Sequence, residues 1–214
     1  MAHQEEKPIT IQVPESEIVL DGIFIRSGDP EPAGAVLAPP HPLYGGSMTS
    51  PVLGELAYAC KRAGYASIRF DWRGVGASAG ALSGESADAD ADYRAALAYL
   101  EETVPGPLLA AGYSFGAAAA LRVARLHPRV RRLLLVAPPL DHLDRDALAE
   151  FRGSALLVAG ECDALSPVAA LEKLAGEDPR RRVERVAEAD HFFGVGLGAL
   201  GRVAAGWLEG PRGR

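Results

Sequence analysis

Cysteine is nearly absent from this chain, with only Cys60 and Cys162 present, and that excludes a disulfide framework. Both read as small buried apolar residues, not as reactive thiols. Long hydrophobic runs are missing too. The longest, Leu133 to Leu140, is broken by Pro138 and Pro139 and falls well short of the roughly 20 residues a membrane helix needs. The opening MAHQEEKP is polar and acidic, the wrong chemistry for a signal peptide, so a cytoplasmic protein away from membranes is expected. Positive charge does not prevail: the net charge is −6, and nothing steers the chain toward nucleic acid. The basic clusters at Arg129–Arg132 and Arg180–Arg185 read as solvated surface. Lysine is scarce, three among 22 basic residues, which with the many alanines suggests a GC-rich bacterial coding sequence. What remains is 48% hydrophobic and 23% charged over 214 residues, the profile of one folded domain spanning 1–214 and not of a disordered chain.

Two short alternating segments, Ile9–Val13 and Ile18–Ile25, flank Pro14-Glu15-Ser16 and predict an antiparallel hairpin at a sheet edge. Beyond them, apolar strand-like runs alternate with helical patterns. The runs are Ala35–Ala38, Tyr65–Phe70, Leu108–Ala111, Leu133–Ala137, Ala155–Ala159 and Arg182–Val186, and helices are predicted near 50–63, 86–102, 115–127, 142–151, 167–175 and 198–208. That order implies an α/β fold of three layers, a mostly parallel central sheet covered on both faces. The Gly-, Ala- and Ser-rich stretch Gly74–Gly84 reads as a loop inside the alternation. Only about 17 residues separate Ala137 from Ala155, room for one short helix and no substantial lid.

Gly112-Tyr113-Ser114-Phe115-Gly116 spells G-x-S-x-G, and its context gives it meaning. An apolar strand runs into it and an alanine-rich helix leaves it, the strand–turn–helix setting of a nucleophile elbow with Ser114 at the tip. Three other glycine patterns fail that test of context. Ser78 in Gly76–Gly80 sits in the loop, and both Gly74–Ala79 and Gly196–Gly201 match dinucleotide spacings without a βαβ unit around them.

A serine hydroxyl needs a base, and the base needs an orienting group. Downstream of Ser114 stand His127, His142 and His191. His191, in the loop after the last strand, is the expected base; His127 lies at the far end of the helix after the elbow, and His142 is the rival. Asp163 directly follows the strand Ala155–Ala159 and is the expected acid, with Asp141 as fallback and Asp190 as a loop former. The oxyanion hole is expected from the N–H groups of Phe115 and, in the loop Pro39–Gly46, of Leu43, with Tyr44 next, because Pro42 has none. His41 reads as a brace for that loop, since no ligand cluster supports a metal. Tyr44, Tyr113, Phe115, Leu140, Leu165 and Phe192 are placed to line a shallow apolar acyl pocket.

These residues resemble the α/β-hydrolase superfamily over essentially the whole chain. More narrowly they are similar to small lid-less bacterial serine hydrolases near the dienelactone-hydrolase group. The resemblance rests on His41–Met48, Arg69–Ser78, Gly112–Gly116, Gly160–Asp163 and Asp190–Phe193, in that order. Two features depart from the group: Pro39 stands where members often carry a second histidine, and the nucleophile is Ser114 where dienelactone hydrolases use cysteine. The resemblance implies hydrolysis without a cofactor or metal. The expected substrates are small or short-chain acyl esters, cleaved through an acyl-enzyme by Ser114, His191 and Asp163. A thioesterase or amidase would use the same residues, and a binding module could keep the fold without turnover. A homodimer stays open.

Overall fold

A computed structural model describes residues 6–210. The hairpin comes first: β1 (Glu6–Gln12) and β2 (Val19–Ile25) pair antiparallel from Glu6 opposite Ile25 to Gln12 opposite Val19. Next follow β3 (Ala33–Ala38), α1 (Pro51–Arg62), β4 (Tyr65–Phe70), α2 (Ser86–Thr103), β5 (Leu108–Tyr113), α3 (Phe115–Ala124) and β6 (Val130–Val136). The chain continues through α4 (Arg145–Glu150), β7 (Ser154–Gly160), α5 (Val168–Ala175), β8 (Arg181–Val186) and α6 (Leu197–Leu208). The eight strands stand in the order β1-β2-β4-β3-β5-β6-β7-β8, antiparallel from β1 through β2 to β4 and parallel from β4 onward.

Strand alternation sorts the core into two halves. Val36, Ala110, Leu133, Leu135 and Leu157 point to the face covered by α2, α3, α4 and α5, while Leu37, Leu109, Leu134, Val136 and Leu156 point to the face covered by α1 and α6. Burial on both faces explains why these strands read as unbroken apolar runs. The expected three layers and the hairpin are observed, and among the described residues no lid is inserted. Between β6 and β7 the chain makes one 3-10 turn (Leu140–His142) and then α4, two separate pieces where one helix over 142–151 was expected. Asp144 divides them by capping α4, its carboxylate accepting from the Ala147 N–H at 2.9 Å.

Two expectations are corrected. Strand β6 begins three residues before Leu133, and its Arg132 is 4% exposed although the cluster around it reads as solvated. Its two terminal nitrogens donate to the carbonyl oxygens of Trp207 and Leu208 (3.1 Å for the latter) and to the Tyr65 hydroxyl at 3.2 Å, while its Nε has no hydrogen-bond partner among the described residues. Of the two cysteines only Cys60 is buried. Cys162 is exposed, in the turn after β7.

Candidate active site

The elbow follows from sequence and sterics together. Strand β5 ends at Tyr113, α3 begins at Phe115, and Ser114 between them has φ 54° and ψ −120°, a conformation that non-glycine residues rarely adopt. So sharp a turn presses strand and helix together. A Cβ on Gly112 would run into the Gly116 carbonyl group, and one on Gly116 into the carbonyl oxygens of Ala38 and Pro39.

Ser114 Oγ stands 2.9 Å from His191 Nε2, and His191 Nδ1 stands 2.8 Å from Asp163 Oδ2. An imidazole protonated at Nδ1 satisfies both contacts, donating to Asp163 and accepting from the serine hydroxyl. All three residues are buried. The other oxygen of Asp163 accepts from the N–H groups of Leu165 and Ser166, both at 2.9 Å, which fixes the carboxylate's direction. Ser166 in turn donates its hydroxyl to the Pro138 carbonyl at 2.8 Å, joining this turn to the end of β6. Gly160 lets the histidine loop approach β7, since a Cβ there would meet the Asp190 carbonyl oxygen.

Other candidates are placed elsewhere. His127 pairs with Glu101 at 3.2 Å on the α2 side of the fold. Asp141 and His142 line the cavity in front of Ser114, both exposed, and neither joins the hydrogen-bonded array. Asp190 accepts from the Phe192 N–H at 3.0 Å, as a loop former does. Ser78 is locked in its loop, donating to the Asp71 carbonyl and accepting from the Asp21 N–H, both at 2.9 Å.

Phe115 opens α3, and its N–H has no acceptor among the described residues. The Leu43 N–H does have one: it donates to His41 Nδ1 at 3.2 Å, while the Tyr44 N–H donates to the His41 carbonyl at 3.1 Å. The His41 ring packs 4.5 Å from that of Phe115, and burial together with nearby His142 holds its pKa below the ordinary value. His41 therefore braces the loop as a neutral acceptor. The loop is fastened from beneath as well. Trp72 donates its indole N–H to the carbonyls of Pro39 and Pro40, and Asp71 accepts from the Met48 N–H at 2.6 Å.

A cavity of about 750 Å³ opens in front of Ser114. Tyr44, Tyr113, Phe115, Leu140, Leu165 and Phe192 all line it, and Leu43 does not. Tyr44 and Phe192 stand largely in solvent at the rim, 87% and 74% exposed, so the site has walls but no roof. What the sequence did not announce is the role of the Tyr113 hydroxyl, which donates to the His191 carbonyl at 2.9 Å; a tyrosine in the variable position of G-x-S-x-G gives no such signal.

The fold and this array define a serine hydrolase of the α/β-hydrolase superfamily. Residues 42–151 match the Hydrolase_4 family, described as serine aminopeptidase S33, and the chain belongs to it. Among solved structures it is similar to an α/β serine hydrolase homologue from Coxiella burnetii, with 27% identity, coverage of 94% of this chain and 97% of that one, and a TM-score of 0.83. It is also similar to XC6422 from Xanthomonas campestris, an α/β serine hydrolase without a lid, with 26% identity, 97% of both chains covered and a TM-score of 0.80. An uncharacterized protein of Rickettsia prowazekii is 28% identical over 194 residues, 84% of this chain and 79% of that protein. No helix among the described residues is long and apolar enough to cross a membrane.

Proposed function

We propose that the protein hydrolyses small or short-chain acyl esters in the cytoplasm through an acyl-enzyme on Ser114, without cofactor or metal. The observation that carries this reading is the unbroken hydrogen-bonded line from Asp163 through His191 to Ser114, facing an open cavity. His191 Nε2 takes the hydroxyl proton as Ser114 Oγ attacks the acyl carbon, and Asp163 stabilises the imidazolium. The proton then passes to the departing alkoxide, and water repeats the sequence to release the acid and restore Ser114. The oxyanion is held by the Phe115 N–H, free in the resting site, and by the Leu43 N–H once it turns from His41. Tyr44, Tyr113, Leu140, Leu165 and Phe192 hold the acyl and leaving groups. The cavity lies within the range of small-molecule sites, about 300–1,000 Å³.

Amide cleavage is the second reading, favoured by the family's description as a serine aminopeptidase. Thioesters would need the same residues. The test is hydrolysis of a p-nitrophenyl ester series, acetyl to palmitoyl, by the native protein and by Ser114→Ala. Activity greatest on short chains and lost with Ser114 is expected. A rate climbing steadily toward palmitoyl refutes the short-chain assignment. Fluorophosphonate labelling of Ser114 without ester turnover moves the reaction to thioesters or amides; neither labelling nor turnover leaves a binding module.

A further inference from the structure

We infer that Tyr113, the residue before the nucleophile, is a positioning residue whose hydroxyl holds the main chain of His191 so that its imidazole stays between Ser114 and Asp163. The inference rests on the serine-hydrolase reading above.

The need for such a tie is visible in the loop that carries His191. Residues 187–196 form neither helix nor strand, and the loop's own amide bonds from Ala189 to Val186 and from Phe193 to Asp190 are long, 3.4 Å each. From outside, the Cys162 N–H grips the Ala189 carbonyl at 2.8 Å, two residues before the histidine. At His191 itself the tie comes from Tyr113, whose hydroxyl reaches the carbonyl across 78 residues of sequence at 2.9 Å, in a buried setting. The aromatic ring is wedged beside the His191 imidazole (5.9 Å between centroids) and edge-on to Phe193 (6.3 Å), so it offers its hydroxyl in a fixed direction. Burial, with Asp163 and Asp190 near by, pushes the phenol pKa up to about 12, and the group remains a proton donor throughout neutral pH.

The consequence is geometric. Tyr113 is covalently next to Ser114 and ends β5, the most central strand of the site. One residue of chain therefore fixes both the Oγ that gives up its proton and the backbone of the imidazole that receives it. Without the hydroxyl, the His191 carbonyl loses a buried donor and the loop loses its attachment to the elbow. Proton transfer between groups 2.9 Å apart is sensitive to displacements well under 1 Å. A tyrosine that merely walled the cavity would affect substrate binding instead, and would appear in KM.

Tyr113→Phe keeps the ring and removes the tie. The expected result is a folded protein whose Ser114 is phosphonylated by a fluorophosphonate about tenfold more slowly. Its kcat on an accepted ester should fall in step, with KM moved less than twofold. The His191 Nδ1 proton should broaden in the NMR spectrum as the imidazole loses registry with Asp163. Unchanged phosphonylation and an unchanged Nδ1 resonance would overturn the inference. If the Phe variant does not fold, 3,5-difluorotyrosine at position 113 keeps the shape and makes the phenol a stronger acid. Phosphonylation that declines at a lower alkaline pH than in the native protein then supports the tie, and an unaltered profile overturns it. A folded native protein that resists fluorophosphonate altogether removes the serine-hydrolase reading, and the inference with it, a result distinct from either variant outcome.

Discussion

The guanidinium of Arg132 lies 3.8 Å over the indole of Trp207, joining the base of strand β6 to the last turn of α6. It also donates hydrogen bonds to the carbonyls of Trp207 and Leu208, which close the C-terminal end of that helix. Arg132→Ala should lower the stability of the fold by about 3 kcal/mol, because it leaves both a cavity and unpaired carbonyls. Urea titration checks this, and a loss below about 1 kcal/mol would show that the tie is ornamental. Arg132→Lys should recover only part of the loss, since an ammonium cannot reproduce the flat stack and the forked donation.

Gly116 has no room for a side chain, as its Cβ would enter the carbonyl oxygens of Ala38 and Pro39. Gly116→Ala must separate α3 from β3, and we expect the melting temperature to fall by more than about 5 °C, with Ser114 phosphonylation slowed further by the altered elbow. Calorimetry with labelling kinetics tests both parts. A stable variant that labels at the native rate would refute the tight-turn argument.

Asp163→Asn should reduce kcat about 10⁴-fold while leaving the fold intact. The two N–H groups of Leu165 and Ser166 would keep the amide oxygen on their side, turning the NH2 group toward His191 Nδ1. The imidazole would then carry its proton on Nε2 and could not accept from Ser114. Steady-state kinetics against thermal melting separates this from unfolding.

Stability should decline as pH rises from about 9 through 12. Burial pushes the Cys60 thiol from 9.0 up to about 12 and the Tyr113 phenol from 10.0 to about 12, and raises the Tyr93 phenol as well. The unfolded chain releases these protons before the folded one does, so unfolding is proton-releasing and the stabilisation, complete below pH 9, is lost through this window. Chemical denaturation between pH 8 and 11 provides the check, and Cys60→Ala should flatten the slope. A flat curve in the native protein would contradict the assignment.

Much of this was legible in the residues themselves. The elbow was readable because strand, glycine, serine, glycine and helix follow without interruption, Asp163 because it stands just past the apolar run of β7, and His191 because it lies in the loop after the last strand, at the same edge of the sheet. The start of β6 was not. Arg131 and Arg132 look like surface, and it takes partners far away in sequence, the Tyr65 hydroxyl and the carbonyls and indole at the end of α6, to make a buried arginine acceptable there. The hydrogen bond from Leu43 to His41 and that from Tyr113 to His191 depend on loop conformations that neither periodicity nor motif encodes.

The missing roof over the cavity bears on the rhythm of turnover. With no lid to swing among the described residues, nothing must open before a product can leave the cavity. Such a site cannot protect a reactive intermediate by sequestration. Its selectivity has to come from residues already in place, and under the proposed acyl-enzyme route other dissolved nucleophiles, alcohols above all, would compete with water for the acylated serine.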